Sequence, residues 1–149
     1  MLTDVEIIFD GQSCNGKQPE IQWNCPLLDH SQVVTSNSTA GFGLDLEQGS
    51  HIIRFDFLNK TLEDTTELED LAVIIKDIRI NGISDEKIFN HTVYRPAYPE
   101  PWFSQQSKTK PKSVLYGHRY LGWNGSWELE FSVPAFQWLH QAKQLGWTY

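Results

Sequence analysis

The sequence of 149 residues has few of the groups on which zinc-binding, disulfide-stabilised and nucleic-acid-binding proteins depend. Its two cysteines, Cys14 and Cys25, are too few for a zinc ribbon, and a disulfide between them is possible but not forced. Lysine and arginine number 12 against 19 aspartates and glutamates, which gives a net charge of −7. Because no basic stripe is available to neutralise phosphates, we expect no nucleic-acid partner.

A membrane span and a secretory leader are also missing from the sequence. No stretch approaches the ~20 consecutive apolar residues that a helix needs to cross a bilayer. Residues 1–4 carry no basic n-region and run directly into a strand-like pattern. We therefore predict a protein that is made in a cytoplasm without a signal peptide and that has no membrane partner.

Sequence signatures of catalysis are missing as well. There is no Gly-x-Ser-x-Gly elbow, no His-Glu-x-x-His pair, no phosphate-binding glycine loop and no Cys-x-x-Cys pair. The five histidines are scattered, and no two have the spacing of metal ligands. Glu128 and Glu130 share a strand face as a glycosidase pair would, but two solvated glutamates are the commoner outcome. The sequence therefore predicts that the protein is not an enzyme.

What the sequence has instead is a high aromatic content and short runs of alternating apolar and polar residues. Apolar residues make up 40% of the chain and aromatic residues 13%, so residues 1–149 are predicted to form one globular domain with a substantial core. The alternation is typical of half-buried strands. It predicts strands at residues 5–10, 20–25, 32–35, 42–47, 53–57, 71–80 and 88–94, with an Asn81-Gly82 turn after the sixth.

The C-terminal third contains a hairpin signal followed by a helical pattern. Asn124-Gly125 is typical of a two-residue hairpin turn and would place Trp127 opposite Gly122. After Pro134, apolar residues recur at helical spacing until Gly146. Together the patterns predict an all-β protein, an antiparallel, jelly-roll-like β-sandwich with one short C-terminal α-helix.

An acidic connection, residues 59–70, joins two long predicted strands near the middle of the chain. It holds five carboxylates that repel one another unless a cation or solvent offsets them. Calcium takes six to eight oxygen ligands. The candidate calcium ligands are Asp56, Asn59, Asp64 and Glu67. The spacing is not that of an EF-hand, so a solvated loop is the alternative, and no other cofactor is predicted.

A proline-rich extended arm at about residues 95–112 follows the predicted strands and holds four of the seven prolines. Large aromatic side chains outside the predicted strands favour contact with a protein partner or with the face of a sugar. The candidate binding residues are Tyr98, Trp102, Phe103, Trp123, Trp147 and Tyr149. We predict that Trp102 and Phe103 contact another subunit or another virion protein, with an arm folded back over the edge of its own sandwich as the alternative.

One order of segments in the middle of the chain carries a resemblance to a known group of proteins. The segments are Phe57–Thr61, Asp64-Thr65, Glu69–Ile75 and Asn81–Ile83, about a quarter of the chain. Their order resembles that in small β-sandwich, virion-associated proteins of tailed bacteriophages, which are similar in turn to jelly-roll carbohydrate-binding modules. The resemblance implies a virion or glycan-binding role and transfers no assigned functional residue.

Two functions of different kinds follow from these observations. The first is a non-enzymatic bacteriophage structural protein, located in the virion as a capsid, tail or baseplate component. Its partners would be other virion proteins or copies of itself. The alternative is a carbohydrate-binding module that recognises a host surface glycan, with calcium as a possible cofactor. The two functions are compatible if the protein is a receptor-binding spike of the particle.

Overall fold

The computed structural model of the protein describes residues 1–100, 102–106 and 111–143. Strands dominate it, and one α-helix follows the last strand of the described chain. In chain order the elements are β1 (Leu2–Gln12), β2 (Glu20–Cys25), β3 (Leu28–Val33), β4 (Ser38–Asp45), β5 (Gly49–Phe57), β6 (Ala72–Ile80), β7 (Ile83–Ser84), β8 (Thr92–Pro96), β9 (Leu115–Tyr116), β10 (Tyr120–Leu121), β11 (Gly125–Val133) and α1 (Ala135–Lys143). Two 3-10 helices, Leu62–Asp64 and Glu86–His91, lie in connections between strands.

The strands form two antiparallel sheets. Sheet 1 has the order β10-β6-β1-β4, and β7 also pairs with β6. Sheet 2 has the order β3-β2-β5-β11-β8-β9. Most of the longer strands alternate buried and less buried residues, as β1 does over most of its length, so one face of each sheet is apolar. The protein is therefore the all-β, antiparallel sandwich with one short C-terminal helix that the sequence predicts.

Aromatic rings from both sheets meet at the centre of the core. Phe9 of β1 lies 6.3 Å from Trp23 of β2 and 5.8 Å from Phe55 of β5, measured between ring centroids. Phe55 in turn stacks on Trp127 of β11 at 5.1 Å. All four side chains are fully buried. Burying a side chain of this size contributes about 2–3 kcal/mol to folding, so these rings are a main source of the attraction between the sheets.

Two local features of the sequence can be compared directly with the fold. The predicted turn at Asn81-Gly82 is confirmed, since both residues have positive φ (50° and 78°) and the turn pairs Ile80 with Ile83. Cys14 is buried and Cys25 is half-buried, and both are free thiols.

The predicted hairpin around Asn124-Gly125 is wrong. Tyr120 and Leu121 pair with β6 in sheet 1, whereas β11 lies between β5 and β8 in sheet 2, so the chain changes sheets between them. Glycine is required at position 125 for another reason. A Cβ there would lie 2.3 Å from the carbonyl oxygen of Arg95, so the close approach of β8 excludes a side chain.

The predicted strand at residues 88–94 is only partly correct. Residues Glu86–His91 form a 3-10 helix, and β8 begins at Thr92. The carboxylate of Asp85 accepts a hydrogen bond from the backbone N–H of Lys87 at 2.8 Å, which satisfies a donor at the start of this helix. The local cap therefore determines the structure of a segment whose apolar residues suggested a strand.

The C-terminal helix begins at Ala135, directly after Pro134, as predicted. Ala135 and Leu139 are buried, and the half-buried ring of Trp138 packs on Phe131. The predicted end of the helix at Gly146 lies outside the described residues. Across the part of the chain that is described, no helix is long and apolar enough to cross a membrane.

Two connections between the sheets meet at one end of the sandwich. The first, residues 58–71, leaves β5 and enters β6, and the second, residues 122–124, joins β10 to β11. They meet because Phe57 pairs with Gly125 and Leu121 pairs with Val73. The polar and aromatic side chains of these two connections therefore lie near one another at this end of the sandwich.

Candidate functional site

A cleft of about 440 Å³ lies at the end of the sandwich where these connections meet the arm. It falls within the size range of small-ligand sites. Its lining includes Lys60, Asp70, Tyr98, Trp102, Tyr120 and Trp123. The cleft therefore joins three of the predicted aromatic binding residues to polar groups from the acidic connection.

Lys60 forms the polar floor of the cleft. Its side chain is only 2% exposed. Its ammonium donates hydrogen bonds to Asp70 Oδ1 and to the carbonyl oxygen of Gly122, each at 2.5 Å. The same nitrogen lies 4.5 Å from the centre of the Trp123 ring. A buried ammonium requires such compensation, and here a carboxylate, a carbonyl and an aromatic face supply it.

Asp70 is the partner that balances this charge. Its carboxylate also accepts hydrogen bonds from the hydroxyls of Thr65 (2.6 Å) and Tyr120. Desolvation would raise the pKa of Asp70, but the hydrogen bonds from Lys60, Thr65 and Tyr120 outweigh it and hold the pKa below its usual value. Burial and the neighbouring carboxylate raise the pKa of Tyr120. The floor therefore holds an ionised carboxylate and a neutral phenol.

The backbone on both sides of Trp123 is fixed by side chains. Asn124 accepts a hydrogen bond from the backbone N–H of Lys60 at 2.9 Å and donates one to the Lys60 carbonyl at 2.8 Å. The hydroxyl of Tyr94 accepts from the backbone N–H of Trp123 at 3.1 Å and donates to the Trp123 carbonyl. Tyr94 is buried, and desolvation raises its pKa. The Trp123 ring is therefore held in place before any ligand arrives.

The wall of the cleft is built from aromatic rings of the arm. Trp102 lies 5.2 Å from Trp123 and 5.5 Å from Tyr98, and Tyr98 stacks on Phe103 at 5.6 Å. The Tyr98 hydroxyl donates to the Lys112 carbonyl at 2.9 Å, which joins the two ends of the arm. The described residues of the arm thus fold back over their own sandwich, which is the alternative to an arm extended toward another subunit. Contact of Trp102 and Phe103 with another chain stays a prediction.

Sequence reasoning identified part of this site and missed its floor. Four of the six predicted aromatic residues cluster here, while Trp147 and Tyr149 lie outside the described residues. Lys60 and Asp70 were not singled out, although both fall inside the segments that carry the resemblance. Their pairing is a tertiary contact across ten positions that no spacing rule indicates.

The carboxylate of Asp64, a candidate calcium ligand, has other partners. It accepts hydrogen bonds from the Lys17 ammonium (2.7 Å) and from the backbone N–H of Thr61 (2.7 Å). Desolvation would raise the pKa of Asp64, but Lys17 and Thr61 outweigh it and lower the pKa. The lysine already neutralises the charge that would attract a cation.

The other candidate calcium ligands are likewise engaged or isolated. The carboxylate of Asp56 lies 3.1 Å from Arg54 and accepts a hydrogen bond from the Asn24 amide. The side-chain amide of Asn59 accepts from the backbone N–H of Glu20 and donates to the carbonyl of Gln18. Glu67 is exposed in the connection. Within the described ranges, no three His, Cys, Asp or Glu side chains group as a metal site. These residues do not fit calcium.

A larger groove of about 710 Å³ lies beside the outer face of sheet 2. The carboxylate of Glu128 in this groove is already paired, since it lies 3.9 Å from Arg54 and 3.2 Å from Arg95. No phenylalanine, tyrosine or tryptophan is among the described residues that line it. The smaller aromatic cleft is therefore the stronger candidate for ligand binding. The carboxylates of Glu128 and Glu130 have separate partners, since Glu128 pairs with the two arginines and Glu130 accepts a hydrogen bond from Ser50.

No protein-family model and no curated protein matches the sequence. Among solved structures, the fold is similar to that of vCBM60, studied among calcium-dependent carbohydrate-binding modules. Its selenomethionine form aligns with a TM-score of 0.51 and 17% identity over 85% of this chain and 89% of that chain. The complex of vCBM60 with galactobiose aligns with a TM-score of 0.51 and 14% identity over 87% and 97%. The chain thus shares the β-sandwich fold of these carbohydrate-binding modules.

Proposed function

We propose that the protein is a non-catalytic carbohydrate-binding module that takes a sugar in the aromatic cleft. The observation that carries the proposal is the pair of half-buried rings, Trp102 and Trp123, held 5.2 Å apart above the polar floor of Lys60 and Asp70. Rings in this arrangement offer an apolar surface, and the floor offers hydrogen-bonding groups.

A neutral pyranose matches both halves of this cleft. The C–H face of a sugar ring packs against an indole, while its hydroxyls exchange water for fixed donors and acceptors such as the Asp70 carboxylate. The volume of about 440 Å³ suits one or two sugar rings. The similar fold of vCBM60, which is solved with galactobiose, supports a disaccharide as the first ligand to test.

Isothermal titration calorimetry with galactobiose, followed by a panel of other disaccharides, tests the proposal. Trp102→Ala removes one ring of the wall and should weaken binding about 30-fold, because an aromatic anchor is worth about 2 kcal/mol. Phe136→Ala is the matched control, since Phe136 is an exposed ring on α1 at the opposite end of β11. Failure of every sugar to bind, or equal losses in the two variants, would contradict the proposal.

We also retain the proposal that the chain is a bacteriophage structural protein located in the virion. Its support is the resemblance of the segments from Phe57 to Ile83. It is compatible with sugar binding if the cleft recognises a host surface glycan. Mass spectrometry of purified particles should detect the chain at a fixed ratio to the major capsid protein, and its absence from them would refute this proposal.

A further inference from the structure

We propose that lysine ammonium groups, rather than a divalent cation, neutralise Asp64 and Asp70, the two least exposed carboxylates of the acidic connection, so that neither folding nor ligand binding requires calcium. The part that concerns ligand binding rests on the proposed function. The inference separates this chain from the calcium-dependent modules whose fold it shares.

The first observation is the surroundings of the Lys60 ammonium. It lies 2.5 Å from a carboxylate oxygen of Asp70 and 2.5 Å from the carbonyl oxygen of Gly122. Carboxylate and backbone carbonyl oxygens are the ligands that calcium takes, at 2.3–2.6 Å. The nitrogen thus sits among calcium-type oxygens with its side chain almost fully buried. A calcium ion cannot enter without expelling the lysine.

The second observation is that a different lysine holds the other buried carboxylate of the connection. Lys17, from the loop between β1 and β2, lies 2.7 Å from Asp64, whose side chain is 13% exposed. Two lysines, Lys17 from another loop and Lys60 from the connection itself, therefore balance Asp64 and Asp70. The three remaining acids of the connection need no ion, because Glu63, Glu67 and Glu69 are exposed to solvent.

The Lys60 ammonium also links the charged floor to the aromatic wall. The ammonium lies over the Trp123 ring, at 4.5 Å from the ring centre. The backbone N–H and carbonyl of Lys60 form two hydrogen bonds with the side chain of Asn124. A cation over an indole face is attracted to it. The lysine therefore positions Trp123 for a ligand as well as neutralising Asp70.

Thermal unfolding without any sugar tests the ionic part of the inference. Excess EDTA and excess calcium should each change the Tm of the wild-type protein by less than about 1 °C. Lys60→Met leaves Asp70 without its counter-charge and should lower the Tm by about 10 °C. Lys17→Met removes the other lysine and should lower the Tm by less, because the Lys17 side chain is 38% exposed against 2% for Lys60 and water partly replaces it.

The wild-type results decide the question even if Lys60→Met does not fold. A Tm that falls by several degrees in EDTA and recovers with calcium would overturn the inference. Terbium is a second probe, since a bound ion near Trp123 would emit on excitation of the indole. We expect no sensitised emission from the wild-type protein, and emission that Asp70→Asn abolishes would also overturn the inference.

The sugar part is tested by repeating the titration in EDTA and in calcium. The affinity for the bound disaccharide should agree within about twofold in the two buffers. An affinity that EDTA abolishes and calcium restores would refute it. If no sugar binds in either buffer, the proposed function fails, whereas the EDTA and terbium results still decide whether lysine replaces the ion.

Discussion

Removing the Tyr94 hydroxyl tests the hydrogen bonds that position Trp123 while leaving the packing of the core unchanged. Tyr94→Phe keeps the buried ring, which stacks on His118 at 5.9 Å, and deletes one oxygen. That oxygen accepts from the Trp123 N–H and donates to the Trp123 carbonyl. The substitution therefore leaves two backbone groups of one residue without their partner.

The expected cost follows from these two bonds. Each hydrogen bond contributes about 1 kcal/mol net, and a group left unpaired where water enters poorly costs somewhat more. We expect Tyr94→Phe to lower the free energy of unfolding by about 2 kcal/mol, which corresponds to a fall in Tm of about 6 °C for a chain of this length. Sugar affinity should fall as well, because the Trp123 ring is no longer held.

Urea denaturation followed by tryptophan fluorescence measures the change. Tyr98→Phe is the matched control, since the hydroxyl of the half-buried Tyr98 donates a hydrogen bond to the Lys112 carbonyl in the arm. Its removal should cost less than about 0.5 kcal/mol. If both variants unfold at the same urea concentration as the wild type, the Tyr94 hydroxyl does not hold Trp123 and the argument is refuted.

Two further predictions concern charge and backbone packing. The pKa values of Asp64 and Asp70 are lowered in the folded state, so their stabilising contribution is present above the unfolded value of about 4 and is lost as the pH falls through the folded values. Tm measured between neutral pH and strong acid should therefore drop below about pH 4, and less steeply in Asp70→Asn. Gly125→Ala should destabilise the protein by more than about 2 kcal/mol, because its Cβ would meet the Arg95 carbonyl at 2.3 Å. Gly41→Ala, where nothing lies within 4 Å of the added Cβ, should be nearly neutral by the same chemical denaturation assay.

The two Asn-Gly pairs show which parts of the fold local sequence determines. At Asn81-Gly82 the pair forms the predicted turn, because the strands that it joins pair with each other. At Asn124-Gly125 the same letters do not form a hairpin. The strand before this pair finds its partner in β6, since Tyr120 pairs with Ile74 and Leu121 with Val73, and the glycine is needed for its close approach to β8. Turn preference decides only where tertiary pairing agrees with it.

In the candidate site, too, local sequence predicts one part and tertiary contacts determine the other. Side-chain type alone pointed to Tyr98, Trp102 and Trp123, since large rings outside strands are unusual. The floor was not predictable, because Lys60 donates to the carbonyl of Gly122, 62 positions away, and Asp70 accepts from the hydroxyl of Tyr120, 50 positions away. A count of carboxylates indicates calcium because it includes neither the pairing of Lys60 with Asp70 nor Lys17, which comes from another loop.

The place of β11 in the sandwich has a consequence for how the chain folds during synthesis. This strand lies between β5 and β8 in sheet 2, yet it is the last strand of the described chain to leave the ribosome. Until residues 125–133 emerge, one side of β5 remains an open edge, and Phe55 lacks the ring of Trp127 on which it stacks. A nascent chain thus carries an unpaired edge of an apolar strand from the completion of β5 at Phe57 until β11 begins at Gly125, an interval in which it is prone to aggregation.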